Sequence, residues 1–289
     1  MKELVIISGK GGTGKTSLTA SFAALAGNAV LADCDVDAAD LHLLLHPRVK
    51  AEHQFICGHE AILDPDRCTG CGDCLTRCRF DAIGIAADHK ITIDPYSCEG
   101  CGVCVHFCPA RAIAFPARRC GEWYESETNY GAMVHAKLAP AAENSGKLVA
   151  QVRQAARQLA EQRNSNMIIV DGPPGIGCPV IAALGGASAV LIVTEPTVSG
   201  EHDLERVLQL AGHFEVPALV CINKWDLNPE TAARIEQSAA AAGATPVGRV
   251  PYDTMFTTAM VNGRLAVHYA DSEASKNIVK VWEKICRII

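Results

Sequence analysis

Residues 1–17 read MKELVIISGKGGTGKTS, an apolar run that ends in a glycine-rich loop carrying two lysines. Gly9-Lys10-Gly11-Gly12-Thr13-Gly14-Lys15-Thr16 fits the pattern G-x-x-x-x-G-K-[ST] and lies between a predicted strand and a predicted helix. In that setting the glycines let peptide N–H groups turn inward onto phosphate oxygens, at the positive end of the helix. Lys15 is expected to bridge the β- and γ-phosphates, the Thr16 hydroxyl to ligate Mg²⁺, and Ser17 to complete the nucleotide-binding run. Lys10 is different. It stands at the mouth of the loop, where a phosphate cradle has no need of a second cation.

Working outward, the chain has 289 residues, a formal net charge of -6, 49% hydrophobic residues and 5% aromatic. That composition suits one large α/β domain with a small extra module. The acidic balance argues against general nucleic-acid binding. Leu4-Val5-Ile6-Ile7 is too short for a signal peptide, and no apolar stretch is long enough to span a bilayer, so the expected location is the cytoplasm.

Short apolar runs alternate with helical patterns outside residues 57–118, as in parallel βαβ units. Strands are predicted at Leu4–Ser8, Val30–Asp33, Met167–Asp171, Val190–Thr194 and Leu219–Asn223, with a weaker one near Val247–Val250. Ser145 precedes a helical face of Leu148, Val149, Val152, Ala156 and Leu159, and Asn228-Pro229 begins a helix that Gly243 ends. Residues 119–144 show neither period and are expected to lead back into the main domain. The domain boundaries predicted are therefore 1–56 and 119–289 for the α/β domain, with 57–118 inserted.

The inserted segment repeats. LDPDRCTGCGDCLTRCRFDAI and IDPYSCEGCGVCVHFCPARAI align at an offset of thirty residues, with four cysteines in each copy. Fourteen cysteines in a reducing compartment point to metal or redox chemistry rather than a disulfide framework, and eight of them fall here. Cys68-x2-Cys71-x2-Cys74-x3-Cys78 and Cys98-x2-Cys101-x2-Cys104-x3-Cys108-Pro109 lack the separated pairs that zinc prefers. The spacing resembles the bacterial two-cluster ferredoxin, in which the fourth cysteine of each run serves the other cluster. That resemblance implies one 4Fe–4S cluster on Cys68, Cys71, Cys74 and Cys108, and a second on Cys98, Cys101, Cys104 and Cys78. Arg79 stands where the ferredoxin pattern has proline, and a cation beside Cys78 is expected to favour the reduced state of the second cluster. Of the other six, Cys34, Cys57, Cys120, Cys221 and Cys286 read as small buried hydrophobes.

K-G-G-T-G-K-T resembles the deviant phosphate loop of the MinD/ParA and nitrogenase iron protein class. In that class the first lysine reaches across a dimer to the partner's nucleotide, a role the resemblance gives to Lys10. It likewise implies that Asp35, in LADCDVDAAD, belongs to the first switch and orients the attacking water. Asp171, in DGPPG, would take the Walker B role on Mg²⁺-bound water. Asp33, Asp37 and Asp40 are weaker candidates, being equally readable as caps. Asn223-Lys224-Trp225-Asp226 reads literally as the guanine motif N-K-x-D, and residue chemistry permits either base. The resemblance instead frames adenine with Asn223 and the loop at Pro251, and so implies ATP. Glu195-Pro196-Thr197 reads equally as a site loop or a turn. Cys178 lies at the offset from Asp171 at which the nitrogenase iron protein carries a cluster ligand; no residue clearly matches its second ligand, and Cys120 is one to try.

The whole chain is similar to MinD-superfamily P-loop ATPases with an inserted ferredoxin domain. The resemblance implies a mostly parallel α/β sheet with an inserted α+β module, and a nucleotide-dependent homodimer that couples ATP to electron transfer toward a redox partner. Two alternatives stay open: an ATPase that assembles or carries iron–sulfur clusters or a metallocofactor, and a positioning ATPase of the Min and Par kind. For the last, NIVKVWEKICRII could lie on a membrane through Ile278, Val281, Ile285 and Ile288, although packing against the sheet is the ordinary fate of such a helix.

Overall fold

The structure, a computed structural model, describes residues 1–139 and 145–289. The chain opens with β1 (Lys2–Ser8), α1 (Lys15–Ala26), β2 (Ala29–Asp33), α2 (Leu41–Leu45) and the long β3 (Arg48–His59). Short elements follow: β4 (Ile62–Leu63), α3 (Asp73–Arg77), β5 (Ile83–Ile85), β6 (Ile91–Ile93), α4 (Val103–Phe107) and β7 (Ile113–Ala114). Two more long strands, β8 (Ala117–Thr128) and β9 (Gly131–Leu138), come before α5 (Ser145–Gln162). Strand and helix then alternate through β10 (Met167–Pro174), α6 (Cys178–Leu184), β11 (Ala189–Thr194) and α7 (Val198–His213). The chain closes with β12 (Ala218–Asn223), α8 (Pro229–Ala241), β13 (Thr245–Val250), α9 (Met255–Val261) and α10 (Glu273–Ile288).

Nine strands among the described residues form one sheet in the order β13-β12-β11-β1-β10-β2-β9-β8-β3. All six strands predicted from apolar runs are present, and β13 through β9 pair in parallel. Parallel pairing buries both faces, which is why β1 and β11 read as unbroken apolar runs. Residues 119–138, which show neither period in the sequence, form most of β8 and all of β9. Charged and polar side chains run along β8 without clean alternation, and that hides the strand. Residues 140–144, the end of that stretch, lie outside the described residues.

Helix ends follow ordinary chemistry. Asn228 accepts a 3.0 Å bond from the Thr231 N–H and Pro229 takes the first helical position, so α8 starts there. The α10 face of Ile278, Val281, Trp282 and Ile285 is buried, and Trp282 stacks on Phe22 of α1 with ring centroids 5.3 Å apart. The apolar stripe that could have met a membrane is therefore spent on the core, with only Ile288 left 43% exposed. No helix among the described residues is long and apolar enough to cross a membrane.

Two compact units divide the chain. The first holds Met1–His53, Trp123–Lys137 and Ser145–Ile289; the second centres on Gln54–Glu122, so the division falls within β3 and β8. In the second unit the repeat is visible as structure. Gly72 and Gly102 stand at the same left-handed position before α3 and α4, with φ of 79° and 75°. The halves then trade strands: β4 pairs with β7, and β5 pairs with β6. The Asp64 N–H donates to the Ala112 carbonyl at 2.7 Å, and the Asp94 N–H donates to that of Ala82 at 2.7 Å.

Candidate functional site

In the first unit, parallel strands carry their carboxyl ends to one edge, where ligands collect in open α/β sheets. β1 delivers the glycine loop there, β10 delivers Asp171, β2 delivers Asp33 and then Asp35, and β12 delivers Asn223. The pairing register sets Asp171 directly beside Asp33. Lys15 opens α1 and is almost fully buried, its Nζ 2.7 Å from Asp171 Oδ1 and 3.4 Å from Asp35 Oδ2. The Thr19 hydroxyl, one turn on, donates to the same Asp171 oxygen at 3.0 Å.

Three carboxylates thus face one ammonium. Burial weighs against the Lys15 cation, but Asp171 and Asp35 outweigh it and hold its pKa above the ordinary value. Burial, reinforced by the Asp171 charge, pushes the Asp33 carboxyl well above the usual range. Asp33 serves the backbone, accepting from the N–H groups of Asp35 at 3.2 Å and Leu41 at 3.3 Å. Asp171 Oδ2 and Thr13 Oγ1 are buried with no hydrogen-bond partner. An orphaned carboxylate oxygen in a net-negative pocket at a phosphate loop fits a hydrated divalent cation with its nucleotide. Thr16 and Asp171 would hold that Mg²⁺, which supplies charge neutralisation between the phosphates.

The loop itself is braced from outside. Gly14 adopts φ 86°, and a Cβ there would collide with the Asn223 amide. That amide donates to the Thr13 carbonyl at 2.8 Å, and Lys224 Nζ donates to the Gly12 carbonyl at 2.9 Å. Asp226 accepts from the Tyr252 N–H at 2.6 Å, tying the N-K-x-D stretch to the loop that holds Pro251. Lys10 turns back on its own chain, 2.6 Å from Glu195 Oε1, and also reaches Ser199 at 2.9 Å and Thr197 at 3.3 Å. Glu195 meets Lys224 as well, at 3.3 Å. Burial raises its carboxyl, yet the two lysines prevail and its pKa lies below the usual value. Sequence reading left Glu195 undecided and did not notice Thr19.

In the second unit the eight ferredoxin-spaced cysteines sort into two cavities. Cys78, Cys98, Cys101 and Cys104 line one. Cys68, Cys71, Cys74 and Cys108 line the other. The strand exchange explains the sorting, because pairing β5 with β6 carries Cys78 to the second run and pairing β7 with β4 carries Cys108 to the first. Four thiols lining each cavity, in this spacing, suit a polynuclear cluster. Peptide N–H groups face the sulfurs, from Gly70 to Cys68 Sγ at 3.5 Å and from Ala112 to Cys108 Sγ at 3.3 Å. Arg77 and Arg79 are both exposed; Arg77 lines the cavity of Cys78, Cys98, Cys101 and Cys104, its guanidinium 4.1 Å over the Phe107 ring.

The remaining cysteines correct part of the expectation. Cys34 and Cys221 are fully buried, and burial pushes the Cys221 thiol to about 12, which leaves it inert. Cys286 and Cys178 are exposed. Cys57 and Cys120 are not free thiols: they form a disulfide between β3 and β8, neighbours in the sheet though 63 residues apart in sequence. Cys120 therefore offers no free thiol to serve as a second ligand beside Cys178.

Fold and site together define a MinD/ParA-like P-loop ATPase fold with an inserted 4Fe-4S dicluster domain. Residues 61–115 match the family described as 4Fe-4S dicluster domain. "Uncharacterized protein MJ0578" of Methanocaldococcus jannaschii is 32% identical over 292 residues, covering 99% of this chain and 97% of that protein. The chain belongs to its family. Among solved structures, the cell division ATPase MinD of Pyrococcus furiosus is similar with a TM-score of 0.60 at 20% identity, covering 100% of this chain and 99% of that one. The septum site-determining protein MinD of Pyrococcus horikoshii OT3, complexed with Mg-ADP, has a TM-score of 0.60 at 17% identity, covering 99% and 96%. At such identities the likeness speaks to the fold alone.

Proposed function

We propose that the chain is an ATP-hydrolysing iron–sulfur protein whose nucleotide-dependent homodimer couples ATP to electron transfer through two 4Fe–4S clusters. One observation carries this reading: a phosphate loop with Lys15 buried against Asp171 and Asp35 shares a chain with eight cysteines sorted four and four around two cavities. Each cluster, when bound, supplies a one-electron carrier. Lys15 and the loop amides position the phosphates, Asp171 orients the hydrated cation, and Asp35 orients the attacking water. Catalysis of this kind is positional and electrostatic. Lys10 exchanges its own Glu195 for the phosphate oxygens of a second subunit's nucleotide, and that exchange makes dimer formation depend on ATP.

The adenine preference rests on the family resemblance, with Asn223, Lys224 and Pro251 near the base. The test is sedimentation with and without MgATP, beside phosphate release. Wild type should dimerise and hydrolyse; Lys10→Ala should stay monomeric yet bind nucleotide, and Lys15→Ala should lose binding. A Lys10→Ala protein that dimerises and hydrolyses like wild type would overturn the trans role. Exposed Cys178 at the start of α6 favours a second reading, cluster or metallocofactor delivery to a partner. Iron passing from the loaded protein to an apo-acceptor, abolished by Cys178→Ser, would favour it.

A further inference from the structure

We propose that Cys57 and Cys120 are a redox-active pair, a two-electron site that exchanges electrons with the neighbouring four-cysteine centre. The inference rests on the second unit holding its clusters. Both strands that carry the disulfide touch the loop of Cys98 and Cys101 within two residues of it. The Arg118 guanidinium, two residues before Cys120, donates to the Cys98 carbonyl at 3.1 Å. On the other strand, two residues past Cys57, the His59 carbonyl lies so close to Gly100 that a Cβ there would collide with it. Gly100 holds φ 63°, which adds a second reason for glycine. The His59 ring stacks on Phe115 at 4.8 Å, and Phe115 packs against the position of Gly102. Two residues of strand span about 7 Å, so on the β3 side, where the contact is backbone to backbone, the disulfide sits one short step from the ligand loop. On the β8 side the Arg118 side chain bridges the gap.

Access from outside is poor. Cys120 is 1% exposed and Cys57 9%. In the reducing setting expected from the sequence, a persisting disulfide is most often catalytic or redox-sensing. The balanced step breaks the Cys57–Cys120 S–S bond. Two electrons, one from each reduced cluster, and two protons from solvent at the Cys57 edge give two thiols; the clusters are oxidised and the disulfide is reduced. The reverse step returns two electrons to two oxidised clusters. One-electron carriers are thereby joined to two-electron chemistry within one unit.

The test is a reductive titration of the iron-loaded protein with dithionite under anaerobic conditions, with differential alkylation and mass spectrometry at each point. Iron content and EPR are read first, because missing clusters would defeat the proposed function rather than this inference. With clusters present, wild type should consume about two electron equivalents more than Cys57→Ser/Cys120→Ser, and both thiols should become alkylatable as the titration proceeds. Dithiothreitol alone should open the pair at least tenfold more slowly. Equal consumption by the two proteins, thiols alkylatable before any reduction, or opening by dithiothreitol as fast as by dithionite would each overturn it. Alkylation of wild type needs no variant, so a double variant that fails to fold leaves the test intact.

Discussion

Lys15 is held by charge rather than by water, with 6% of its side chain exposed between Asp171 and Asp35. Lys15→Met leaves those carboxylates without their counter-ion and should cost about 3–5 kcal/mol, read by urea denaturation without nucleotide. Asp171→Asn, which keeps an acceptor for Thr19, should lose less; an equal loss would mean the charge is not what matters. His135 carries the pH signature. Burial, with the nearby His42, lowers its pKa from 6.5 to about 4, so the folded state holds it neutral. Its stabilising contribution is present above pH 6.5 and lost as pH falls through about 4. His135→Gln, able to keep the Ser126 bond, should move the acid unfolding midpoint to lower pH. An unmoved midpoint would contradict the assignment. Arg77, which lines the cavity of Cys78, Cys98, Cys101 and Cys104, should raise the potential of its centre more than Arg79, which does not line it and is likewise exposed. Redox titration should therefore show a larger drop for Arg77→Gln than for Arg79→Pro.

At the scale of elements, α10 is where the core closes. Trp282→Ala should cost about 3–5 kcal/mol by the loss of buried ring contacts, and the intact protein should not sediment with liposomes. Vesicle binding by wild type would contradict the packing. Five of the six apolar strands were legible because a strand buried on both faces can hardly contain anything else, while β13, at the sheet edge and only partly buried, gave the weaker signal. β3, β8 and β9 were not legible. Arg48, Lys50 and Glu52 alternate with less polar neighbours on β3, an edge strand whose charges discourage further pairing and also conceal it from a search for apolar runs. The phosphate loop and the two cysteine runs were legible because their chemistry demands fixed local spacing. Glu195 was not, since its partners Lys10 and Lys224 come from remote loops. The Cys57–Cys120 bond was hidden for the same reason: sheet order alone makes those residues neighbours.

For the whole molecule, the proposed function joins a nucleotide site in one unit to a redox site in the other. Anaerobic reconstitution should load about eight iron atoms per chain, and replacing Cys78 should reduce loading by about half because it removes one centre. A full load in Cys78→Ala would contradict the sorting of the ligands. Lys10 is the residue on which the coupling turns, since in the single chain it is held by Glu195 and in the proposed dimer it is not. The most direct test is anaerobic EPR of the reduced, iron-loaded protein with and without MgATP, on wild type and on Lys10→Ala. Cluster signals should shift with MgATP in wild type, and Lys10→Ala should show the same two clusters with no shift. Wild-type spectra identical with and without nucleotide would contradict the proposed coupling.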